Sequence, residues 1–225
     1  MDTRDVIRRW EEVKGSLPEG VKLVAVSKQV GLEAIRALYE AGQRAFGENR
    51  VQELLEKQAA LPGDAEWHMI GHLQRNKVRG VVPFASMIHG VDSPRLLEAI
   101  DREGERVGRV IPCLLQFRVA EEESKFGMTL EEARALLESE TFAGARHARV
   151  VGVMSMATFT SDEGKVRGEF RRSRELFELL RRDYFAGDAG FEVLSMGMSG
   201  DYAWAVEEGS TLVRVGSAIF RPRGC

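Results

Sequence analysis

A lysine and an arginine occupy positions where a buried strand should carry apolar residues. Lys28 directly follows the apolar run KLVAVS at 22–27, and Arg214 lies between Val213 and Val215. Burying a cation costs free energy unless the charge has a partner or reaches water. An arginine only donates hydrogen bonds, whereas a lysine that loses its proton becomes a nucleophile. The two residues indicate either a ligand site or, more simply, a lysine that reaches water and an arginine in a buried ion pair.

Two segments near the carboxyl end of the chain predict an anion site. They are SMGMSGD at 195–201 and RVGSAIF at 214–220, and both contain glycine and serine. Glycine lets the backbone approach a ligand closely, and the free N–H groups at a helix start attract anions. The simpler interpretation is that these glycines only form turns.

Eight apolar runs separated by helical segments provide the framework for these residues. They are dense in Val, Ile, Leu and Met, as is typical of parallel strands buried on both faces, and cover 22–27, 44–48, 66–71, 86–91, 109–119, 148–156, 191–197 and 211–217. The alternation predicts an α/β fold, a single-domain (β/α)8 TIM barrel over residues 1–225 with an extra N-terminal helix. A doubly wound open sheet is the main alternative. The absence of a glycine-rich fingerprint after the first run counts against its dinucleotide-binding form.

In such a barrel the functional residues collect at the carboxyl ends of the strands, and the first strand closes against the eighth. Lys28 therefore shares one mouth with the two glycine-containing loops, where barrels often bind phosphate. The lysine could pair with a phosphate or condense with an aldehyde, and pyridoxal phosphate carries both groups. Arg214 would donate to the pyridine nitrogen and keep it unprotonated, which makes the ring a poorer electron sink. A phosphate-ester enzyme without a cofactor remains an alternative.

Six stretches resemble one known family, the pyridoxal phosphate homeostasis proteins, which are single-domain relatives of the alanine racemase barrel. They run in order from about residue 23 to 220 and read LVAVSK, FGENRVQE, WHMIGHLQRNK, SKFGM, GVMSMAT and LSMGMSGDYAWAVEEGSTLVRVGSAIF. The departures are small, namely Gln29 and Val30 where a threonine is common, and FRPRGC at the carboxyl end.

The resemblance implies a set of contacts to the cofactor. Lys28 would form a Schiff base with pyridoxal phosphate, and Arg214 would face the pyridine nitrogen. Lys125 matches a second family lysine that is associated with cofactor handling. Asn49 would lie near the cofactor, and Met154 and Ser155 would line the ring or the phosphate. The residues expected to contact the phosphate are Ser195, Met196, Gly216 and Ser217.

The same resemblance leaves two functions open. A carrier would buffer pyridoxal phosphate and deliver it to apo-enzymes, as part of vitamin B6 homeostasis. An amino-acid racemase would need a base on each face of the substrate carbon. The racemase relatives take the second base, a tyrosine, from another domain across a dimer, and no residues remain for that domain after the eighth strand. Tyr202 is the tyrosine to test, and we expect it to pack. The carrier is preferred, as a monomer.

Composition excludes other classes of function. The net charge of −3 argues against a nucleic-acid binder or a membrane-surface protein, and no apolar run approaches 18 residues. Cys113 and Cys225 form no disulfide framework, so we expect a reduced, cytoplasmic setting. His68 and His72 lie close together, but no cysteine or carboxylate cluster completes a metal site. Glu48 could act as a base, but it is expected instead to cap a helix or to fix a loop.

Overall fold

Eight parallel strands close into a barrel in the order in which they occur in the chain. The computed structural model describes residues 2–120 and 126–221. The strands are β1 (Lys22–Val26), β2 (Ala45–Glu48), β3 (Glu66–Met69), β4 (Ala85–Val91), β5 (Ile111–Phe117), β6 (Ala148–Ser155), β7 (Val193–Ser195) and β8 (Leu212–Val215). Seven of the eight predicted runs contain one of them, and β4 begins one residue before the run at 86–91.

Helices follow or precede the strands around the outside of the barrel. They are α1 (Thr3–Gly15), α2 (Leu32–Glu40), α3 (Val51–Gln58), α4 (Val78–Val81), α5 (Pro94–Val107), α6 (Leu130–Leu137), α7 (Glu140–Gly144), α8 (Glu163–Asp183), α9 (Tyr202–Glu207) and α10 (Ser217–Phe220), with a 3₁₀ turn at Arg75–Lys77. The extra N-terminal helix begins after Asp2, whose side chain accepts the Arg4 N–H at 2.9 Å, as an N-cap should.

Pairing between the first and last strands completes the barrel. Val24 lies opposite Arg214 and Ala25 opposite Val215 in the β1–β8 pair, and both strands run in the same direction. An open doubly wound sheet would leave two edges, so this pair excludes that alternative. The predicted TIM barrel is confirmed.

Alternation of side chains along the strands separates an inner from an outer core. The outer core lies between strands and helices and includes Phe46, Trp67 and Ile35. The inner core fills the barrel with two small clusters, one built on Val24, Ala45 and Leu212 and the other on Leu114, Val151 and Met154. The barrel is therefore a packed interior in which a polar side chain needs a polar partner.

The remaining sequence expectations concern the two cysteines, Lys125 and membrane spans. Cys113 is fully buried in the outer core, as expected of a small apolar side chain. Cys225 and Lys125 lie outside the described residues. In the described part of the chain, no helix is both long enough and apolar enough to span a bilayer.

Candidate cofactor site at the barrel mouth

Lys28 lies on the rim of the barrel, two residues beyond the end of β1. Its side chain is exposed, whereas Ser27 before it is fully buried. The rim of β1 touches the rim of β8, because a Cβ added to Gly216 would lie 3.0 Å from the Val26 carbonyl oxygen. The lysine and the loop after β8 therefore share one mouth, as the barrel topology predicts.

The backbone on both sides of Lys28 is held by side chains from β2 and α3. The Ser27 hydroxyl donates to Glu48 Oε1 at 2.5 Å, and Lys57 Nζ donates to the Ser27 carbonyl oxygen at 2.7 Å. The Gln29 N–H donates to Glu53 Oε2 at 2.8 Å. Gln29 has a left-handed φ of 60°, which is uncommon for a residue other than glycine. The chain is thus fixed immediately before and after the lysine.

We call Ser27, Glu48, Glu53 and Lys57 the ionic clamp. Lys57 Nζ lies 2.8 Å from Glu48 Oε1 and 3.0 Å from Glu53 Oε2, and both Glu48 and Lys57 are buried. Burial raises the pKa of Glu48, while the Gln29 N–H and then the Lys57 ammonium lower the pKa of Glu53. The expected loop-fixing role of Glu48 is confirmed by its contacts with Ser27 and Lys57.

Arg214 extends into the barrel and is 4% exposed. Its Nη1 donates to Ser195 Oγ at 2.5 Å, and its Nη2 donates to the Ser155 carbonyl oxygen at 2.9 Å. Both acceptors are neutral, so these contacts are not the buried ion pair that the sequence left as an alternative. Burial lowers the pKa of Arg214 to about 10, with Asp201 opposing the shift, so the guanidinium stays charged at neutral pH.

The hydroxyls of the two expected serines contact protein groups. Ser195 Oγ accepts from Arg214 and lies 3.2 Å from Nδ1 of His89 on β4. Ser155 Oγ lies 2.7 Å from the Ser173 hydroxyl on α8, so only the carbonyl oxygen of Ser155 contacts Arg214. Sequence reasoning does not reveal which atoms of these residues face the mouth.

The two expected methionines lie in different layers. Met154 belongs to the inner core of the barrel, and Met196 belongs to the outer core. The Met196 carbonyl oxygen accepts from Ser210 Oγ at 2.8 Å. Of the two methionine side chains, only that of Met154 is on the inside of the barrel.

The loops after β7 and β8 contact each other through Ser199. Its Oγ accepts from the Gly216 N–H at 3.0 Å and from the Ala218 N–H at 3.2 Å, at the start of the short helix α10. Ser217 between them is exposed. Gly197 has a φ of +92°, and a Cβ there would lie 2.6 Å from that of Ala205, so this turn requires glycine.

On the side of β1 away from β8, Asn49 follows β2 and is exposed. Its backbone meets the end of β3 closely, because a Cβ on Gly71 would lie 2.5 Å from the Asn49 carbonyl oxygen. The expected site residues thus come from the ends of β1, β2, β6, β7 and β8.

The histidines were only partly anticipated. His68 is buried inside the barrel with its Nδ1 2.9 Å from His89 Nε2, whereas His72 lies on the rim 3.3 Å from an Asp92 carboxylate oxygen. The two histidines that are close in sequence therefore lie in different places, His68 in the interior and His72 on the rim. His89 was missed, although a histidine within the apolar run at 86–91 is itself a signal of a buried polar contact. Among residues 2–120 and 126–221, no cluster of three His, Cys, Asp or Glu could hold a metal.

The donor set at this mouth fits pyridoxal phosphate. An exposed amine is available for its aldehyde, and a guanidinium fixed inside the barrel is available for its ring nitrogen. The exposed Ser217 on the loop after β8 supplies a hydroxyl donor for its phosphate.

The fold and site define a barrel of the alanine racemase type. A family model described as alanine racemase, N-terminal domain, matches residues 1–223. Alanine racemase from Bartonella henselae, solved with covalently bound pyridoxal phosphate, superposes with a TM-score of 0.73 at 18% identity, over 97% of this chain and 59% of that one. At that identity the likeness concerns the fold alone.

Closer relatives narrow the class. A pyridoxal phosphate homeostasis protein from Aquifex aeolicus is 38% identical over 90% of this chain and 87% of its own, and one from a Synechocystis strain is 34% identical over 95% and 97%. PipY of Synechococcus elongatus, solved with pyridoxal phosphate bound, is 36% identical over 96% of this chain and 99% of its own, with a TM-score of 0.87. The chain belongs to the pyridoxal phosphate homeostasis protein family.

Proposed function

We propose that this chain binds pyridoxal phosphate reversibly through Lys28 and acts as a carrier that buffers the cofactor within vitamin B6 homeostasis. The observation that carries the proposal is the match along nearly the whole chain to PipY, a relative solved with pyridoxal phosphate bound. The arrangement of Lys28 and Arg214 around one mouth agrees with it.

The covalent contact at Lys28 is a Schiff base. The uncharged amine attacks the aldehyde carbon, the nitrogen takes the place of the carbonyl oxygen, and that oxygen leaves as water. The reverse reaction with water releases the cofactor intact, which suits a carrier. The ionic clamp fixes the backbone on both sides of Lys28, so the amine starts from a defined place on the rim.

Arg214 is proposed to face the ring nitrogen. It has no acceptor to offer and remains charged, so it donates to the nitrogen and leaves it unprotonated. A neutral pyridine withdraws electrons weakly, so a ring held in this way supports carbanion chemistry poorly. This favours storage of the cofactor over catalysis.

The remaining contacts are proposed from the family resemblance. We assign Ser195, Met196, Gly216 and Ser217 to the phosphate. Asn49, Met154 and Ser155 are assigned to the ring side of the site, where Ser155 contributes its carbonyl oxygen through Arg214.

The tyrosine contacts favour a carrier over a racemase. The hydroxyl of Tyr39 donates to Asp64, that of Tyr184 donates to Glu138, and that of Tyr202 lies 3.3 Å from Ser16 Oγ at the end of α1. Each hydroxyl has a partner on the outside of the barrel. A second base on the far side of a substrate is therefore not supplied by these three side chains in this arrangement.

The cellular setting follows from the carrier proposal. We propose that the chain works as a single cofactor-binding domain, as a monomer, in the cytoplasm, and that it delivers pyridoxal phosphate to apo-enzymes that depend on it. No membrane or nucleic acid takes part.

The test is reduction of the purified protein with borohydride after incubation with pyridoxal phosphate. The loaded protein should be yellow, and reduction should add the cofactor mass at Lys28. Lys28→Ala should lose the adduct, while Lys77→Ala, which removes an exposed lysine elsewhere, should retain it. A stable adduct in Lys28→Ala would refute the assignment. Racemisation of a single-enantiomer amino acid at ordinary enzymatic rates, lost in Tyr202→Phe, would replace the carrier with the racemase.

A further inference from the structure

A line of hydrogen bonds crosses the inside of the barrel below Arg214. Arg214 on β8 donates to Ser195 on β7, Ser195 Oγ lies 3.2 Å from His89 Nδ1 on β4, and His89 Nε2 lies 2.9 Å from His68 Nδ1 on β3. Since β4 and β7 are not neighbours in the barrel, the contact between Ser195 and His89 passes through the interior. We call Arg214, Ser195, His89 and His68 the inner chain.

The two ends of this chain fix the direction of every hydrogen bond in it. Arg214 can only donate, so Ser195 Oγ accepts from it. In the described part of the protein the Ser195 hydroxyl has no acceptor other than His89 Nδ1, so it donates there. His89 must then carry its proton on Nε2 and donate to His68 Nδ1, which places the His68 proton on Nε2 as well. Both imidazoles are neutral, in agreement with burial lowering the pKa of each.

At His68, the last member of the inner chain, the chain faces the Glu66 carboxylate at the amino end of the barrel. His68 Nε2 has no hydrogen-bond partner among the described residues and lies 3.8 Å from Glu66 Oε2, too far for a hydrogen bond but within reach of its charge. Glu66 pairs with Lys22, and both line a cavity of about 360 Å³ that opens at that end. A negative charge beyond His68 reinforces the same direction of donation.

We propose that His89, supported by His68, is a positioning residue that holds Ser195 and therefore Arg214 in the orientation that meets the cofactor's ring nitrogen. Without an acceptor at His89 the Ser195 hydroxyl is free to turn, and the guanidinium loses its fixed partner. The part concerning the ring nitrogen rests on the proposed function. The direction of the hydrogen bonds does not, because it follows from the protein alone.

The first experiment tests the direction without any cofactor. In ¹⁵N-labelled protein, long-range ¹H–¹⁵N correlation spectra should show His68 and His89 neutral and protonated at Nε2 from pH 6 to 8. Ser195→Ala should change the Nδ1 shift of His89 and leave that of His72 unchanged. A proton on Nδ1 of His89, or a charged His89, would overturn the proposal.

The second experiment uses four variants titrated with pyridoxal phosphate. An asparagine at position 89 places its amide oxygen near the former Nδ1, so His89→Asn keeps an acceptor for Ser195. A glutamine at position 89 extends only towards His68, so His89→Gln offers no acceptor to Ser195. His89→Phe offers a hydrogen bond to neither Ser195 nor His68. His147→Phe makes the same change as His89→Phe in a histidine outside the inner chain.

Loss of one hydrogen bond that supports a charged group is worth about tenfold in affinity. His89→Phe and His89→Gln should bind pyridoxal phosphate about tenfold more weakly and shift its visible absorption band. His89→Asn should stay within about threefold with an unshifted band, and His147→Phe should match the parent protein. A purely structural role would lower thermal stability in all three His89 variants with the band unmoved, and that result would refute the proposal. If the parent protein binds no pyridoxal phosphate, the proposed function fails, while the NMR spectra still test the direction of the hydrogen bonds.

Discussion

Two buried polar clusters support the mouth, and they work by different means. The ionic clamp lies outside the strands, between β1, β2 and α3, and contains a lysine between two glutamates. The inner chain lies inside the strands and joins one arginine to three neutral side chains. Removing one member of a buried ion pair costs much free energy of unfolding, because the other charge is left unpaired. Hydrogen bonds between neutral groups fix the orientation of a side chain, and the loss of one costs less. The clamp fixes a piece of backbone, and the inner chain fixes the orientation of one side chain.

Removing the cation of the clamp should have the largest effect. Lys57→Met keeps most of the side-chain volume but leaves the buried Glu48 carboxylate without its cation, and we expect the free energy of unfolding to fall by about 3 kcal/mol at pH 7. Urea unfolding followed by circular dichroism measures it. Lys77→Met at an exposed lysine should change stability by less than about 0.5 kcal/mol. A loss below about 1 kcal/mol in Lys57→Met would mean that the clamp is not held by charge.

Breaking the inner chain should cost less. Ser195→Ala leaves one Arg214 N–H and His89 Nδ1 without their shared partner, and unsatisfied buried polar groups of this kind cost about 1–3 kcal/mol. We expect a loss of about 2 kcal/mol in the same urea experiment, with Ser161→Ala on the surface as the control. Should Ser195→Ala prove more damaging than Lys57→Met, the proposed contrast between charged and neutral clusters would be wrong.

The smallest effect on the free energy of unfolding is expected at Glu66, beyond the His68 end of the inner chain. His68 first, and then Lys22, lower the pKa of Glu66 from 4.5 to about 2. A carboxyl whose pKa is depressed by folding stabilises the protein above its unfolded pKa, and this contribution is lost as the pH falls from 4.5 towards 2. Because Glu66 is 42% exposed, solvent screens the interaction, and Glu66→Gln should cost less than about 1 kcal/mol at pH 7.

The difference between Glu66→Gln and the parent protein should shrink in urea titrations at pH 3. It should also shrink in 1 M NaCl at pH 7, since salt screens an exposed pair. A difference in the free energy of unfolding that grows as the pH falls would contradict this prediction.

The barrel could be predicted from the sequence because each strand is a compact apolar run. The run at 22–27 contains β1 (Lys22–Val26), and that at 148–156 contains β6 (Ala148–Ser155). The termini differ by one or two residues because apolar side chains continue past the last ladder hydrogen bond, as in the run at 191–197, where β7 is only Val193–Ser195.

The site could be predicted only in part. The ends of the strands locate Lys28 and Arg214. Side chains alternate between the two faces of a strand, so the sequence indicates which face a residue is on but not which residue it contacts across the barrel. His68 and His72 are close in sequence, whereas His89, the hydrogen-bond partner of His68, is 21 residues away. Of the clamp, the sequence indicated only Glu48. Lys57 was missed because a charged residue of a helix is usually exposed, whereas Lys57 is buried.

The pairing of β1 with β8 also bears on how the protein is made. It joins segments that lie far apart in the chain, so β1 leaves the ribosome well before β8: Val24 pairs with Arg214, and the Arg9 side chain of α1 donates to the Ile219 carbonyl oxygen. A nascent chain that already displays Lys28 still lacks the strand that closes the barrel and supplies the guanidinium. Capture of a ligand between β1 and β8 can therefore begin only after β8 has been synthesised.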